Sequence, residues 1–166
     1  VKVTSRVGEG TRVVLTLPLR TTNVASVAPK ANRDVPHVNL AGKHVLLVDD
    51  DPKTCEIVGE MLKDAGMKVV CVESGTECVQ RIDYSAVGSF DVILMDLRLP
   101  GMDGFETARK IRKLDNPRNA NIPILALTAN VFDEDRLRAS RAGMKGLIAK
   151  PVISSELFGM LAQVLT

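Results

Sequence analysis

A short apolar run that ends on a carboxylate lies near the middle of the chain: Phe90-Asp91-Val92-Ile93-Leu94-Met95-Asp96. Residues 92–95 predict a strand that is buried on both faces, as in a parallel sheet covered by helices on either side. Asp96 then stands where this strand ends, and open α/β sheets bind their ligands at the carboxyl ends of their strands. A turn-rich loop, residues 97–104, leads into the next helix. We therefore interpret Asp96 as the reactive residue, provided that the other strand ends complete a site around it.

The same alternation of apolar strands and amphipathic helices extends over residues 43–166. Predicted strands cover residues 44–48, 68–72, 92–95, 123–127 and 147–149, and predicted helices cover residues 52–65, 74–84, 103–114, 133–142 and 154–165. Asp51 and Pro52 are typical of a helix start, Gly66 is typical of a helix end, and residues 116–121 are interpreted as a loop. The pattern predicts an α/β fold, a five-stranded doubly wound parallel sheet with strand order 2-1-3-4-5 and its switch point between the first and third strands.

The N-terminal quarter of the chain has a different character. Residues 1–5 and 12–17 alternate between polar and apolar side chains around a glycine-bearing segment, which predicts a β-hairpin. A lone hairpin is marginally stable in water, so we expect it to be either disordered or borrowed by a neighbouring chain, and not to add a sixth strand to the main sheet. Residues 20–42 contain many small and polar side chains and two prolines, which favours a flexible linker.

Composition excludes several classes of protein. The chain has 166 residues, 45% hydrophobic and 3% aromatic, with a net charge of +2. So few aromatics make it a poor platform for base stacking, and so small a charge does not indicate a nucleic-acid or membrane partner. Its three cysteines, Cys55, Cys71 and Cys78, lack metal-binding spacing and are odd in number. We expect reduced thiols that fill the core of a cytoplasmic protein rather than redox groups.

Polar residues follow four of the predicted strands. The first strand ends in the acidic triplet 49–51, the third in Asp96, the fourth in Thr128, and the fifth in Lys150. Each of these residues has an ordinary structural interpretation by itself, and the last acid of the triplet is expected only to cap a helix. Together, at one edge of one sheet, they indicate a site. Clustered carboxylates repel one another unless a hard cation such as Mg²⁺ binds there.

This constellation suits a phosphoryl group. An aspartate carboxylate can attack a phosphoryl donor and form an acyl phosphate. A metal ion and Lys150 would neutralise the oxygens in transfer, and Thr128 supplies a hydroxyl donor. The sequence therefore predicts that Asp96 is a phosphoacceptor.

At these positions residues 43–166 resemble the receiver domain of two-component response regulators over its whole length. The matching positions are Asp49 and Asp50 (the acidic pair), Asp96 (the phosphoacceptor), Thr128 (the switch hydroxyl) and Lys150-Pro151 (the lysine and its following proline). The resemblance implies that Asp50, Asp96 and the backbone carbonyl of Arg98 bind Mg²⁺ directly and that Asp49 binds it through water. It also implies a cis peptide bond before Pro151.

One position departs from the family pattern. Receivers usually carry Tyr or Phe three residues before the lysine, and this chain has Leu147. The chemistry at Asp96 is expected to persist, whereas the rotation of an aromatic ring on the face of the fourth helix and fifth strand is not available. The departure fits a receiver that passes its phosphoryl group onward. The resemblance also assigns the tuning of acyl-phosphate lifetime to Arg98 and Asn130.

The N-terminal hairpin has its own resemblance. Gly8-Glu9-Gly10-Thr11 and the apolar segment after it are similar to the last two strands of a histidine-kinase ATP-binding domain. This implies a kinase-domain remnant (residues 1–19), a linker (residues 20–42) and a receiver (residues 43–166), which together form the C-terminal part of a hybrid sensor histidine kinase. The fragment itself would carry only self-phosphorylating receiver chemistry.

The implied partners are a phosphohistidine as the donor and a histidine phosphotransfer domain as the acceptor, with no nucleic acid and no direct membrane contact. An alternative is a docking module that regulates its own kinase without being phosphorylated. An aspartate-nucleophile phosphatase is disfavoured because Arg98 stands where a second acid is needed, two residues after Asp96. A DNA-binding regulator is disfavoured because no output domain follows the fifth helix.

Overall fold

The structure is a computed structural model of the 166-residue chain and describes residues 2–6, 8, 10–14, 16, 40–129 and 131–165. Residue contacts divide the chain into two units, Val1–Arg33 and Asp34–Thr166, and each is described by itself. Most of the predicted linker lies outside the described residues. Its last residues do not behave as a tether, because Leu40 is buried and the amide of Gly42 donates to the carbonyl of Gly66 at 2.8 Å.

The first unit contains the predicted hairpin. Strands β1 (Lys2–Arg6) and β2 (Gly10–Val14) pair antiparallel, from Lys2 opposite Val14 to Arg6 opposite Gly10. Among the described residues they form a two-stranded sheet of their own. Every residue of both strands is exposed. A sheet of this size has no buried face to stabilise it, which is why isolated hairpins are marginal.

The second unit has the predicted alternation of strands and helices. Its elements in chain order are β3 (His44–Val48), α1 (Pro52–Asp64), β4 (Lys68–Val72), α2 (Gly75–Tyr84), β5 (Val92–Asp96), α3 (Gly104–Ile111), α4 (Pro117–Ala120), β6 (Ile124–Thr128), α5 (Asp133–Arg141), β7 (Gly146–Ala149) and α6 (Ser154–Leu165). The five strands are parallel in the order β4-β3-β5-β6-β7, which confirms the predicted topology. None of the helices in the described part of the chain is both long and apolar enough to cross a membrane.

Local sequence explains most of the helix ends. Asp51 caps α1 by accepting a hydrogen bond from the amide of Lys53, and Gly66 turns the chain after α1 with a φ of 79°. The predicted loop 116–121 is wrong, because it contains the single helical turn of α4. Asn116 accepts bonds from two amides of that turn and Pro117 occupies its first position, a pair of signals typical of a helix start.

The core has two layers, one on each side of the sheet. All five residues of β5 are buried, as predicted from its unbroken apolar run. Ile93 and Met95 pack with helices α2, α3 and α5, whereas Val92 and Leu94 pack with α1 and α6. Each fully buried side chain of this size contributes about 1.5–3 kcal/mol of hydrophobic stabilisation. The central strand β5 therefore packs against helices on both faces of the sheet, and this packing fixes the position of Asp96 at its end.

A close backbone approach fixes the loop after β5. Gly104 begins α3, and a Cβ atom at this position would lie 2.3 Å from the carbonyl oxygen of Asp96 and 2.9 Å from the Cα of Leu97. The amide of Gly104 also donates to the carbonyl of Leu97 at 3.2 Å. Only glycine permits α3 to start this close to the end of β5.

We predict that Gly104→Ala lowers the free energy of unfolding by about 1–3 kcal/mol, the usual cost of forcing extra atoms into a packed site. The obstacle is backbone, which cannot move aside as a flexible side chain can. Urea unfolding followed by circular dichroism measures the change. Gly159→Ala in α6 is the matched control, because a Cβ there meets no other atom within 4 Å. It is expected to raise stability by about 0.5–1 kcal/mol. Equal effects of the two substitutions would contradict the prediction.

Candidate functional site

Three carboxylates meet where the two central strands end. β3 and β5 are hydrogen-bonded neighbours with Val48 opposite Met95, so the residues that follow them lie side by side. One carboxylate oxygen from each of Asp49, Asp50 and Asp96 lies within 4.8 Å of the others. Asp49 is fully buried, Asp96 is nearly so, and Asp50 is exposed. Among the residues that the structure describes, no other group of three His, Cys, Asp or Glu side chains is this close.

Lys150 lies between the two buried acids. Its Nζ is 2.5 Å from Oδ2 of Asp49 and 2.6 Å from Oδ2 of Asp96. β7 delivers the lysine to this point, and the amide of Lys150 donates to the carbonyl of Thr128 at 2.7 Å. The peptide bond between Lys150 and Pro151 is cis, as the resemblance implied.

Backbone amides hold the remaining oxygen of each buried acid. Oδ1 of Asp49 accepts from the amide of Asp51 at 3.1 Å, and Oδ1 of Asp96 accepts from the amide of Arg98 at 2.9 Å. Each carboxylate therefore has one oxygen on Lys150 and one on the loop that follows its own strand. Both carboxyl planes are fixed before any ligand arrives.

The charges in this cluster oppose one another. Burial raises the pKa of Asp49, the charge of Asp96 raises it further, and the bonds from Lys150 and from the Asp51 amide lower it without cancelling burial. Burial alone would lower the pKa of Lys150, but its hydrogen bonds to Asp49 and Asp96 outweigh burial and leave that pKa above its ordinary value. Lys150 is therefore charged at neutral pH. One ammonium faces three acids, so the cluster keeps an excess of negative charge.

Thr128 ends β6 next to this cluster and is 3% exposed. It lines a depression of about 250 Å³ between α3 and α5, together with Arg98, Phe105 and Arg138. The guanidinium carbon of Arg138 lies 4.1 Å from the centre of the Phe105 ring, a cation–π contact. A cavity lined by two arginines and by Asp103 and Asp135 thus opens beside the end of β6.

The structure brings most of the predicted site residues together. Asp49, Asp50, Asp96 and Lys150 form one cluster, with Thr128 at the adjacent strand end. Arg98 reaches Asp96 through its amide, and Asn130 lies outside the described residues. Asp51 is a helix cap, as predicted, because its carboxylate also accepts from the hydroxyl of Thr54 at 2.9 Å. Leu147 is half-buried in the layer that contains α2, α3 and α5.

Two contacts were missed by reasoning from sequence. Gly104 is predicted only to belong to a helix start, and the sequence alone does not show how closely it approaches the end of β5. The thiol of Cys55 donates to the carbonyl of Asp49 at 3.6 Å, which no sequence pattern indicates. The expectation that the cysteines fill the core holds for Cys78, which is buried, and is wrong for Cys71, which is exposed.

The fold and the site together define a class, the doubly wound α/β domains with acids, a hydroxyl and a lysine around an aspartate at the switch point. Within that class the chain belongs to the response regulator receiver domain family, whose sequence profile matches residues 45–162. It is a receiver domain of the type found in hybrid sensor histidine kinases.

Three similar proteins illustrate the relationship. Hybrid signal transduction histidine kinase L of Dictyostelium discoideum is 42% identical over 122 residues, which cover 71% of this chain and 7% of that protein. Ethylene receptor 2 of Oryza sativa subsp. japonica is 35% identical over 162 residues, covering 95% of this chain and 21% of that protein. The receiver domain of sensor histidine kinase PA1611 from Pseudomonas aeruginosa PAO1 was solved with magnesium in its active-site cleft. It is 36% identical with a TM-score of 0.67, and the match covers 75% of this chain and 98% of that one. The chain thus spans only a small part of the length of the first two of these proteins.

The raised pKa of Asp49 has a consequence for stability. The folded chain binds this proton more tightly than the unfolded chain does, so the resulting stabilisation is fully present below the ordinary carboxyl pKa of 3.8 and is lost as pH rises through the folded-state pKa. We predict that Asp49→Asn is more stable than the natural chain at neutral pH in EDTA and that the advantage shrinks on acidification. Urea unfolding at a series of pH values measures it.

Asp51→Asn is the matched control with the opposite sign. The hydrogen bonds from Thr54 and the amide of Lys53 lower the pKa of Asp51, so its stabilisation is present above pH 3.8 and is lost as pH falls. This variant is expected to lose stability at neutral pH. If Asp49→Asn also lost stability there, the bond to Lys150 would outweigh the burial of Asp49, and the prediction would be wrong.

Proposed function

We propose that this receiver takes a phosphoryl group from a phosphohistidine onto Asp96, with Mg²⁺ bound at the acid cluster, and passes it to a histidine phosphotransfer domain. The observation that carries the proposal is the bridge from Lys150 to both buried acids, 2.5 Å and 2.6 Å long. It fixes an ammonium at the phosphoacceptor, where the oxygens of an incoming phosphoryl group need a positive charge.

The residues of the cluster fit a magnesium ion. Mg²⁺ prefers carboxylate and carbonyl oxygens and is usually bound by one or two carboxylates while it keeps several waters. Asp50, Asp96 and the backbone carbonyl of Arg98 would hold the ion directly, and Asp49 through water. At 4.8 Å, two carboxylates repel by roughly 3 kcal/mol at an effective dielectric constant of about 20. Lys150 alone does not neutralise three of them, so a bound divalent cation would supply the missing positive charge and would neutralise charge on the phosphoryl oxygens.

The chain's own residues account for the rest of the step. A carboxylate oxygen of Asp96 forms a bond to phosphorus while the bond from phosphorus to the donor imidazole breaks, and the bonding electron pair stays on the imidazole nitrogen. The amide of Arg98 holds the carboxyl plane of Asp96 during the attack. Lys150 transfers its hydrogen bond from Asp96 to an oxygen of the arriving group, and the hydroxyl of Thr128 donates to another.

The wider context belongs to the same proposal. Residues 1–19 would be the end of a kinase ATP-binding domain and residues 20–42 a linker to the receiver, so that the parent chain is a hybrid histidine kinase. The similarity to probable histidine kinase 6 of Oryza sativa subsp. japonica supports this, because the aligned region covers 92% of the chain and extends beyond the receiver. Such a relay would operate in the cytoplasm, and three free cysteines are in keeping with a reducing compartment.

A docking module that regulates its kinase without phosphorylation is the second candidate. Leu147 does not separate this candidate from the first, since it replaces the aromatic side chain that usually reports phosphorylation in receivers and leaves the acid cluster unchanged. The two candidates make opposite predictions about covalent chemistry at Asp96.

We predict that the protein incubated with Mg²⁺ and a small acyl-phosphate donor gains the mass of one phosphoryl group, and that Asp96→Ala abolishes the gain. Intact-mass spectrometry measures it, with loss of the adduct in EDTA as a second criterion. Asp51→Asn is the matched control, because Asp51 belongs to the acidic triplet but caps α1, and this variant is expected to keep the adduct. A folded protein with no adduct would reject phosphoacceptor function and leave the docking module.

We also predict that Asp50→Asn weakens Mg²⁺ binding by at least roughly 10-fold, since the loss of even an outer-shell partner of a metal ligand costs about 10- to 100-fold in affinity. The reason is the loss of the exposed acid of the cluster. Isothermal titration calorimetry measures the affinity. Asp103→Asn serves as the control, since Asp103 caps α3 outside the cluster and asparagine caps equally well. Equal weakening in both variants would show that Asp50 is not a specific ligand.

A further inference from the structure

A half-buried arginine joins three segments of the second unit. Arg112 follows the last turn of α3, and its Nη1 donates to the carbonyl of Ala120 at 2.8 Å. Its Nη2 and Nε both donate to the carbonyl of Gly143, at 2.8 Å and 3.2 Å. Gly143 has a φ of 80°, and a Cβ atom there would lie 2.9 Å from the Nε of Arg112. The guanidinium therefore holds the end of α3, the end of α4 and the turn after α5 close together.

These three segments lie at the amino ends of the strands. The amide of Lys145 donates to the carbonyl of Ile124, the first residue of β6, at 2.8 Å, and β7 begins one residue later at Gly146. The acid cluster lies at the carboxyl ends of the same sheet. The central strands have five residues each, so at about 3.3 Å per residue the two edges are roughly 16 Å apart. The joined segments are therefore separate from the phosphoacceptor.

Five exposed cations surround the atoms that Arg112 joins. Each lies within three residues of Arg112, Ala120 or Gly143 in the chain. They are Arg109, Lys113, Arg118, Arg141 and Lys145, which we call the basic patch. None of the five forms an ion pair with any residue that the structure describes. Residues 109–121 and 141–145 contain one acid, the exposed Asp115. The patch therefore has a clear excess of positive charge.

Helix ends explain only part of this charge. Cations in the last turn of a helix interact favourably with its terminal carbonyls, and Arg109 and Arg141 lie in the last turns of α3 and α5. Lys113 and Lys145 lie beyond those helix ends, and Arg118 belongs to α4, which is a single turn with a small dipole. Clustered like charges repel one another, so an anionic partner would relieve a repulsion that the free domain contains.

We propose that the basic patch docks a protein surface rich in carboxylates. Three of its five cations are arginines, whose planar guanidinium matches a carboxylate with two parallel hydrogen bonds. Residues 109–121 and 141–145 contain no aromatic ring on which a nucleic-acid base could stack, and they expose no large apolar side chain that could enter a bilayer. These observations favour an acidic protein over a nucleic acid or a lipid surface.

The interaction goes beyond the chemistry at Asp96. The basic patch shares no residue with the acid cluster and lies at the other edge of the sheet, so a docked protein leaves Asp96 open to a phosphohistidine. The two edges also carry opposite charge. An acidic partner is attracted to the patch and repelled by the acid cluster, and this field fixes its orientation and raises its association rate.

The test is to titrate a fluorescein-labelled oligoglutamate peptide with the protein and follow its fluorescence anisotropy. Measurements at low salt and at about 0.15 M salt are expected to show binding that weakens with screening. The double variant Lys113→Glu/Arg118→Glu converts two attractive charges into repulsive ones. We expect it to weaken binding by at least roughly 10-fold, which corresponds to about 1.4 kcal/mol. Asp115→Asn removes the one acid of these segments and is expected to tighten binding.

The matched control is Lys53→Glu/Lys68→Glu, which changes the net charge of the protein by the same amount. These exposed lysines lie on α1 and on β4, the strand farthest from β7 in the sheet order, and this variant is expected to keep the binding. Circular dichroism checks that each variant is folded. The mass gain at Asp96 is measured in parallel, and the Lys113→Glu/Arg118→Glu variant is expected to gain as much as the natural chain does, so that failure of the phosphoacceptor and failure of the patch give different results.

Three results would overturn the proposal. The first is a folded natural chain that does not bind oligoglutamate at either salt concentration. The second is equal weakening in the two double variants, which would show a response to net charge alone. The third is tighter binding to duplex DNA, or to vesicles of phosphatidylserine and phosphatidylcholine, that is lost in Lys113→Glu/Arg118→Glu, since the partner of the patch would then be a nucleic acid or a membrane.

Discussion

Two buried carboxylates that share one ammonium are the interaction on which the arrangement of the site depends. Asp49 and Asp96 would repel each other in the low-dielectric interior if Lys150 did not bond to both. The site still has more negative than positive charge, because the exposed Asp50 adds a third carboxylate and Lys150 is a single cation. The burial of these acids lowers the stability of the fold. Functional sites often keep such destabilising groups, and the surrounding core compensates for their cost.

Sheet topology forces these groups together. The strand order reverses between β3 and β5, so the loops after these two strands diverge and leave their terminal acids uncovered at the carboxyl edge. β6 and β7 extend the sheet on one side and bring Thr128 and Lys150 to the same edge. The backbone bond from Lys150 to Thr128 joins these last two strand ends. Residues more than fifty positions apart in the chain thus meet because parallel strands all end on the same edge.

The sequence predicted the strand order and the members of the cluster because both depend on short-range patterns. An unbroken apolar run specifies a central parallel strand, and a polar residue directly after it specifies the site edge, as at Asp96 and Thr128. The features that it did not predict depend on distance in space. The approach of Gly104 to the carbonyl of Asp96 and the hydrogen bond from the Cys55 thiol to the carbonyl of Asp49 each need the relative placement of two elements. The turn of α4 is a different case. Asn116 and Pro117 are typical of a helix start, but four residues are too few to show a helical pattern in the sequence.

Leu147 restricts how a phosphoryl group on Asp96, as proposed above, would change the surface of the domain. Leu147 pairs with Ala126 on the neighbouring strand and packs half-buried among aliphatic side chains, where it has no polar tip and no ring to reorient. The cavity beside Thr128 is lined instead by Phe105 and Arg138, which are held by a cation–π contact. Arg138 is half-exposed and its ion pair with Asp135 is 4.0 Å long, so these contacts restrain it weakly. A movement of Thr128 would therefore affect Arg138, a weakly restrained cation on α5, rather than an aromatic side chain on β7.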